Sequence, residues 1–130
     1  MTLFLFFSHA LTQSLIEDAQ QNLAVTEIRH LPEDLQERWS QVPPDLTNLK
    51  AFGKPLWEWL RQEASPKDYI LIQGDFGMSY ATVQFAFELG LQPIYATTRR
   101  ESVEVQQADG SVRKTNRFAH VQFRPYHSYL

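Results

Sequence analysis

Apolar residues occur in short continuous runs that alternate along the chain with stretches of helical spacing. Residues 3–7 are apolar throughout, which is typical of a strand buried on both faces of a sheet. Further strands are predicted at residues 25–30, 69–72 and 93–96. Apolar residues recur every three or four positions in between, which predicts helices over residues 12–22, 32–39, 49–64 and 79–89. This order indicates an α/β domain with a mostly parallel sheet.

Several residues indicate where these helices begin and end. Thr12 is suited to cap the first helix, and Asp45 or Thr47 could cap the third. Pro55 lies inside the third pattern, so we expect a kink or a restarted helix there. Gly90 follows the last helix in the usual terminating position.

The C-terminal part has a different pattern, because its segments alternate around an Asp109-Gly110 turn signal. We expect the strand at residues 93–96 to end at 97–100, a hairpin at 102–107 and 112–116, and a further strand at 120–124. The predicted fold is a Rossmann-like three-layer α/β domain over residues 1–130. Residues 98–130 form its C-terminal extension, with an antiparallel β-hairpin.

Composition excludes several classes of function. The 130 residues carry a net charge of −3 and no cysteine, which excludes a disulfide framework, thiol catalysis and cysteine-zinc sites, and argues against binding of long nucleic acid. The four histidines lack metal-ligand spacing, so we expect no metal and no cofactor. Residues 3–7 are too short to span a membrane and no basic segment precedes them, so a cytoplasmic protein without membrane contact is expected.

Charge is distributed unevenly along the chain. Residues 1–66 hold nine acidic and five basic residues, whereas residues 99–130 hold six basic and three acidic residues. The C-terminal part therefore favours an anionic ligand of limited size.

Polar or glycine-rich residues follow three of the predicted strands. These are Ser8-His9, the stretch from Gln73 to Gly77, and the stretch from Thr97 to Arg100. Ligands of open α/β sheets bind beyond the carboxyl ends of the strands, where we expect these residues to converge. The glycine stretch matches neither a P-loop nor a dinucleotide fingerprint, but it would still let a backbone approach a phosphate closely.

Individual residues of these stretches admit structural and functional interpretations. Ser8 could position a phosphate or ribose hydroxyl, and His9 could act as a general acid, or they could be a turn serine and a hydrogen-bonded histidine. Asp75 could cap a helix, transfer a proton or bind a ribose hydroxyl. Phe76 could stack on a base or pack in the core. Arg99 could stabilise charge on a phosphate or remain solvated.

Four motifs resemble the small standalone CRISPR-associated proteins of the Csx ring-nuclease group. They are Phe7-Ser8-His9, the segment from Leu31-Pro32 to Pro43-Pro44, the stretch from Asp68 to Gly77, and Pro93-Ile94-Tyr95-Ala96-Thr97-Thr98. The resemblance implies a role in type III CRISPR immunity, in which ring nucleases degrade a cyclic oligoadenylate messenger, usually cyclic tetra-adenylate. It also implies a metal-independent homodimer that holds the ring across a two-fold axis.

The resemblance further implies attack of a ribose 2′-hydroxyl on the neighbouring phosphate, giving linear products that end in a 2′,3′-cyclic phosphate. The residues assigned to catalysis are Ser8, His9, Asp75 and Arg99. Those assigned to ligand binding are Gln73, Gly74, Phe76, Gly77, Thr97, Thr98 and Arg100. Lys114, Arg117 and His120 are candidates for a lid over the ring.

Three alternatives stay open at this point. The protein could bind cyclic oligoadenylate without cleaving it, since the same basic pocket would serve. It could be another nucleotide-processing enzyme, such as a glycosylase or transferase that uses the Asp75 carboxylate. It could also be a structural interaction protein whose aromatic helices form an interface. Trp39, Trp57 and Trp59 lie among helical apolar positions and are expected in the core or at a dimer contact.

Overall fold

The computed structural model describes all 130 residues and contains five strands and four helices. In chain order they are β1 (Thr2–Phe7), α1 (Gln13–Asn22), β2 (Glu27–His30), α2 (Glu33–Ser40), α3 (Lys50–Glu63), β3 (Tyr69–Gln73), α4 (Phe76–Glu88), β4 (Gln92–Gln106) and β5 (Val112–Pro125). This order confirms the α/β class.

The strands form one sheet in the order β2-β1-β3-β4-β5. The first four strands are parallel, and β5 pairs antiparallel with β4, as predicted. The chain runs outward from β1 to β2 in one direction and then crosses to β3 on the other side of β1. The order therefore reverses between β1 and β3, which is the position where ligands bind in sheets of this kind.

The sheet is covered on both faces. Phe4 and Phe6 of β1 belong to a core cluster that includes residues of α2, α3 and α4. Leu3, Leu5 and Phe7 alternate with them and belong to a second cluster, which α1 covers. Strand β1 is therefore buried on both faces, as its continuous apolar run predicted. Below, the two faces are called the α1 side and the α4 side.

The helix ends agree with the sequence in two places and differ in two. The Thr12 hydroxyl accepts a hydrogen bond from the Leu15 amide at 3.3 Å, and Gly90 adopts a φ of +72° after α4, as predicted. The predicted start of α4 at residue 79 is wrong, because the helix begins at Phe76. The predicted caps of α3 are also wrong: the cap is Leu49, without a side-chain hydrogen bond.

Helix α3 is continuous from Lys50 to Glu63 and contains Pro55 without a break. Proline removes one backbone donor from a helix, but tertiary contacts hold α3 in place. Leu56 and Leu60 are fully buried, and the Trp57 indole nitrogen donates to the Thr82 hydroxyl of α4 at 2.9 Å.

Strands β4 and β5 correct the predicted layout of the C-terminal part. The expected strand end at residues 97–100 is wrong, because β4 continues to Gln106, and residues 120–124 belong to the same strand as 112–116. The pairing register shifts between Thr97, which pairs with Gln122, and Thr98, which pairs with His120. Val121 is therefore an extra residue on β5 and forms a β-bulge. Beyond the bulge the two strands extend past the carboxyl ends of β1 and β3 as a two-stranded arm.

None of the four helices is long and apolar enough to cross a lipid bilayer.

Candidate functional site

A cleft of about 640 Å³ lies on the α1 side of the sheet, at the carboxyl ends of β1 and β3 and beside the base of the arm. Its lining contains two imidazoles, an amide, three hydroxyls and no carboxylate. The lining residues are Phe7, His9, Thr12, Ser14, Leu15, Gln73, Ala96, Thr98, Phe118, Ala119 and His120.

Strand alternation explains which residues after β1 reach the cleft. Phe7 points to the α1 side, so His9 returns to that side two residues later, where its ring meets Phe7 at 5.4 Å between centroids. Ser8 is exposed and does not line the cleft. The Gln36 side-chain amide donates to the Phe7 carbonyl at 3.0 Å and fixes the end of the strand.

Gln73 is held in one orientation at the end of β3. Its side-chain oxygen accepts a hydrogen bond from the Ala96 amide of β4 at 2.8 Å. The buried Trp39 indole donates to the Gln73 backbone carbonyl at 3.2 Å. This hydrogen bond orients the side-chain amide, and the NH₂ group, which has no partner within the chain, offers its two donors to a ligand. Gln73 is therefore a fixed donor, which suits a phosphate oxygen or a ring nitrogen.

The N-terminus of α1 opens onto the same cleft. Thr12 and Ser14 line it, and the first turn of α1 contains no acidic residue. The first amides of a helix lack intrahelical partners and carry a partial positive charge. Together with the two hydroxyls, this helix end favours an anionic group in the cleft.

The bulge at Val121 determines which residues of the arm face the cleft. Thr97 stabilises it, because its hydroxyl donates to the Gln122 carbonyl at 3.0 Å and accepts from the Gln122 amide at 3.2 Å. Regular alternation would place His120 and Phe123 on opposite faces, since they are three residues apart. With the bulge, both rings lie on the α1 side, 4.9 Å apart.

His120 pairs with Asp18 of α1. The His120 Nε2 lies 2.6 Å from Asp18 Oδ2, and their side chains are 8% and 14% exposed. The other carboxylate oxygen accepts a hydrogen bond from the Asn22 amide at 2.6 Å. Each oxygen of the Asp18 carboxylate thus has a hydrogen-bond partner, and the contact with Asp18 uses Nε2 of the imidazole. The remaining nitrogen, Nδ1, is buried and has no hydrogen-bond partner.

The predicted site residues are divided between two regions. His9, Gln73 and Thr98 meet in the cleft. Gly74, Asp75, Phe76 and Gly77 lead into α4 instead, and Asp75 caps that helix by accepting from the Met78 amide at 3.0 Å.

The two arginines of the arm differ in the direction they face. Arg100 pairs with Phe118 and shares the face of Thr98 and His120, whereas Arg99 pairs with Ala119 and faces the other way. Both arginines are exposed, and neither forms an ion pair. Of the candidate lid residues, Lys114 and Arg117 form ion pairs with Glu104 and Glu101 across the arm.

The chain matches a known protein family over almost its whole length. The model of the Uncharacterized protein MJ1673 family matches residues 1–124. The chain belongs to this family. It is 46% identical over 127 residues to Uncharacterized protein MJ1673 of Methanocaldococcus jannaschii, with 98% of each chain covered. No solved structure matches the chain.

Every residue that lines the cleft lies within the segment matched to the MJ1673 family. Ser14, Phe118 and Asp18 are not among the site residues predicted from the sequence, and His120 is among them only as a candidate lid residue. Asp18 and His120 are 102 residues apart, so no local spacing could connect them. No group of three or more His, Cys, Asp or Glu residues suited to hold a metal ion is present.

Proposed function

We propose that this member of the MJ1673 family is a ring nuclease that opens cyclic oligoadenylate by attack of a ribose 2′-hydroxyl on the adjacent phosphate. The observation that carries the proposal is the cleft at the strand-order reversal, which combines two imidazoles with neutral donors and has no carboxylate in its lining. In this reaction the nucleophile belongs to the substrate. The protein has to fix geometry, neutralise charge and move protons.

The phosphate would be bound by donors that approach it from several elements. Gln73 supplies a fixed NH₂ group, and the N-terminus of α1 supplies backbone amides and the Ser14 hydroxyl. The Thr98 hydroxyl lies in the cleft wall formed by the arm, and Arg100 shares its face. Hydrogen bonds from these groups strengthen as negative charge grows on the phosphate oxygens.

His9 is the candidate general acid for the leaving 5′-oxygen. It lies in the cleft at the carboxyl end of β1, and imidazole is the side chain best suited to proton transfer near neutral pH. The ring of Phe118 is 69% exposed at the same cleft and offers a face on which an adenine could stack.

The size of the cleft supports a homodimer that holds the ring between two copies. A volume of about 640 Å³ is in the range of sites for one small ligand, so it would hold only part of a four-nucleotide ring. A two-fold axis would present the same half-site twice to a ligand with its own rotational symmetry. The proposal includes the Rossmann-like class of the fold, membership of the Csx group, the role in type III CRISPR signalling and a cytoplasmic location.

The decisive experiment is incubation of the purified protein with cyclic tetra-adenylate in the presence of EDTA, followed by chromatography and mass spectrometry. We expect linear oligoadenylates with a 2′,3′-cyclic phosphate end. Recovery of intact ligand at a large excess of protein would contradict cleavage. Release of free adenine would indicate a glycosylase, although Asp75, the carboxylate proposed for that reaction, caps α4 and does not line the cleft.

A further inference from the structure

The Asp18–His120 pair is built into the wall of the cleft from residues at opposite ends of the chain. Asp18 lies on α1, and His120 lies on β5 at the bulge that turns its ring toward the α1 side. Both side chains are almost completely buried, and both carboxylate oxygens have partners. The sequence assignments of catalytic residues included neither member.

The hydrogen bonds around the pair determine which nitrogen of His120 carries a proton. With Asp18 ionised, its carboxylate can only accept, and we therefore assign the proton of the 2.6 Å contact to Nε2. In a neutral imidazole the lone pair is then on Nδ1. A carboxylate that fixes the tautomer of a histidine and stabilises its protonated form is the arrangement that prepares an imidazole to accept a proton.

The Nδ1 atom of His120 has no hydrogen-bond partner although it is buried. Buried polar atoms without partners are rare in folded proteins, and a role in catalysis is one reason for retaining them. The remaining polar groups of the lining are neutral donors or the second imidazole, so no carboxylate in the cleft competes for this position.

From these three observations we infer that His120 accepts the proton of the attacking 2′-hydroxyl, and that Asp18 is the residue that positions it. The inference rests on the proposed function. In the step, O2′ bonds to phosphorus while the bond between phosphorus and O5′ breaks. The 2′-hydroxyl proton passes to Nδ1 of His120, and O5′ takes a proton from His9. The linear product therefore forms without a co-reactant, and exchange with water restores both imidazoles.

Because Nδ1 is closed off from water, proton transfer to it requires the bound ligand to move the wall of the cleft. Catalytic contacts commonly close only in the complex with substrate. The wall at this point includes the arm, whose Phe118 side chain is mostly exposed and lies two residues from His120.

The test is single-turnover cleavage of cyclic tetra-adenylate by the wild type and the His120→Ala, His120→Gln and Asp18→Asn variants. Without the general base we expect both His120 variants to be slower by about 10²–10⁴-fold. Affinity for cyclic tetra-adenylate should change much less. Added imidazole should restore part of the rate of His120→Ala, because it can occupy the vacated space beside Asp18. Asp18→Asn should lower the single-turnover rate at saturating ligand by about 10²–10⁴-fold with little change in affinity, because an amide would favour the other tautomer.

His30→Ala is the matched control, since His30 is exposed and does not line the cleft, and its rate should equal that of the wild type. Thermal unfolding of each variant separates loss of fold from loss of chemistry. A His120→Gln variant with the wild-type rate, or a folded His120→Ala variant whose rate does not respond to imidazole, would overturn this role alone. A wild type that leaves cyclic tetra-adenylate intact would overturn both this role and the proposed function.

Discussion

The two sides of the sheet differ sharply at the carboxyl edge. The cleft on the α1 side is lined by histidines, hydroxyls and an oriented amide, and Asp18 supports it from behind. On the α4 side a groove of about 500 Å³ runs between α4 and the C-terminal residues. Its lining is mainly aromatic and apolar, with Phe76 94% exposed and Tyr129 88% exposed. Proton transfer and phosphate binding therefore fit the α1 side, and the α4 side offers apolar contact instead.

Alternation along the strands produces this division. His9, Gln73 and Thr98 lie at positions whose side chains turn to the α1 side, and the neighbouring Ser8 does not. After Gln73 the chain crosses over the edge and enters α4, which carries the glycine-rich stretch to the other side. Residues that are adjacent in sequence thus contribute to different surfaces.

The largest expected effect is the loss of cleavage in a His9 variant, and an Asp75 variant at the start of α4 provides the comparison. His9→Ala should slow ring cleavage by about 10²–10⁴-fold, because it removes the proposed general acid, while the free energy of unfolding changes little at this exposed position. Asp75→Ala should do the reverse. It removes the cap of α4 and should lower the free energy of unfolding by about 1 kcal/mol with the cleavage rate retained. Rate assays and urea unfolding of both variants measure these opposite effects. A slow Asp75→Ala variant would show that Asp75 takes part in cleavage.

A smaller effect is expected at the arm. Arg100→Ala should weaken binding of cyclic tetra-adenylate by roughly five- to tenfold, because it removes a positive charge from the face of the arm that carries Thr98 and His120. Arg99→Ala should change the affinity by less than about twofold, since its side chain faces away from the cleft and exposed charges contribute little. Calorimetric titration of the two variants measures the difference. Equal losses in both would show that the strand register does not decide which arginine contacts the ligand.

Gly74 lies where the chain passes from the end of β3 into α4, and we expect a side chain there to destabilise the fold. A Cβ added at this position would lie 2.9 Å from the Trp39 indole nitrogen, and the Trp39 ring is buried in the core and cannot move away. Gly74→Ala should therefore lower the free energy of unfolding by about 1–3 kcal/mol. Gly77→Ala is the control, because the close neighbour there is the end of the flexible Leu49 side chain. Its cost should stay below about 1 kcal/mol. Similar costs for the two variants in urea unfolding would contradict this explanation.

The smallest expected effect is at Tyr126, whose contribution to the free energy of unfolding depends on pH. Its hydroxyl donates to the Ile72 carbonyl at 2.7 Å, and burial, together with the neighbouring Tyr95, raises the pKa of the phenol above its ordinary value of 10.0. The folded state thus favours the protonated phenol, so its stabilisation is complete below pH 10.0 and is lost as the pH rises through the folded pKa.

Below pH 10.0, Tyr126→Phe should reduce the free energy of unfolding by about 1 kcal/mol, and the difference from wild type should shrink at higher pH. Urea unfolding between neutral and alkaline pH measures this, with Tyr129→Phe at a mostly exposed position as the control. A difference that stays constant across the range would be inconsistent with the raised pKa.

The sequence predicted those parts of the fold that depend on neighbouring residues. The buried run of β1, the Thr12 cap and the Gly90 terminator follow from local patterns, and the structure has all three. The start of α4 was missed because Asp75 and Gly77 are typical of a turn, although they occupy the cap and first turn of a helix. The sequence pattern predicted shorter strands in the arm, because most residues there are polar and give no apolar alternation. The hydrogen-bond ladder between β4 and β5 nevertheless continues into solvent.

The site could be predicted only as far as strand ends reveal it. His9, Gln73 and Thr98 follow buried strands, and ligands commonly bind beyond such ends. The Asp18–His120 pair depends on a helix, a distant strand and a bulge of one residue. A bulge has no reliable signature in a single sequence, and it decides which side of the sheet His120 faces.

The side of the sheet on which the ligand binds distinguishes the cleft from the aromatic groove most directly. Backbone and histidine NMR shifts recorded during titration with cyclic tetra-adenylate locate that site residue by residue. We predict that the largest changes fall on His9, Gln73, Thr98 and His120, and that Phe76, Tyr80 and Tyr129 change little. If the largest changes fell on α4 and the C-terminal residues and the cleft were unaffected, binding on the α1 side would be contradicted.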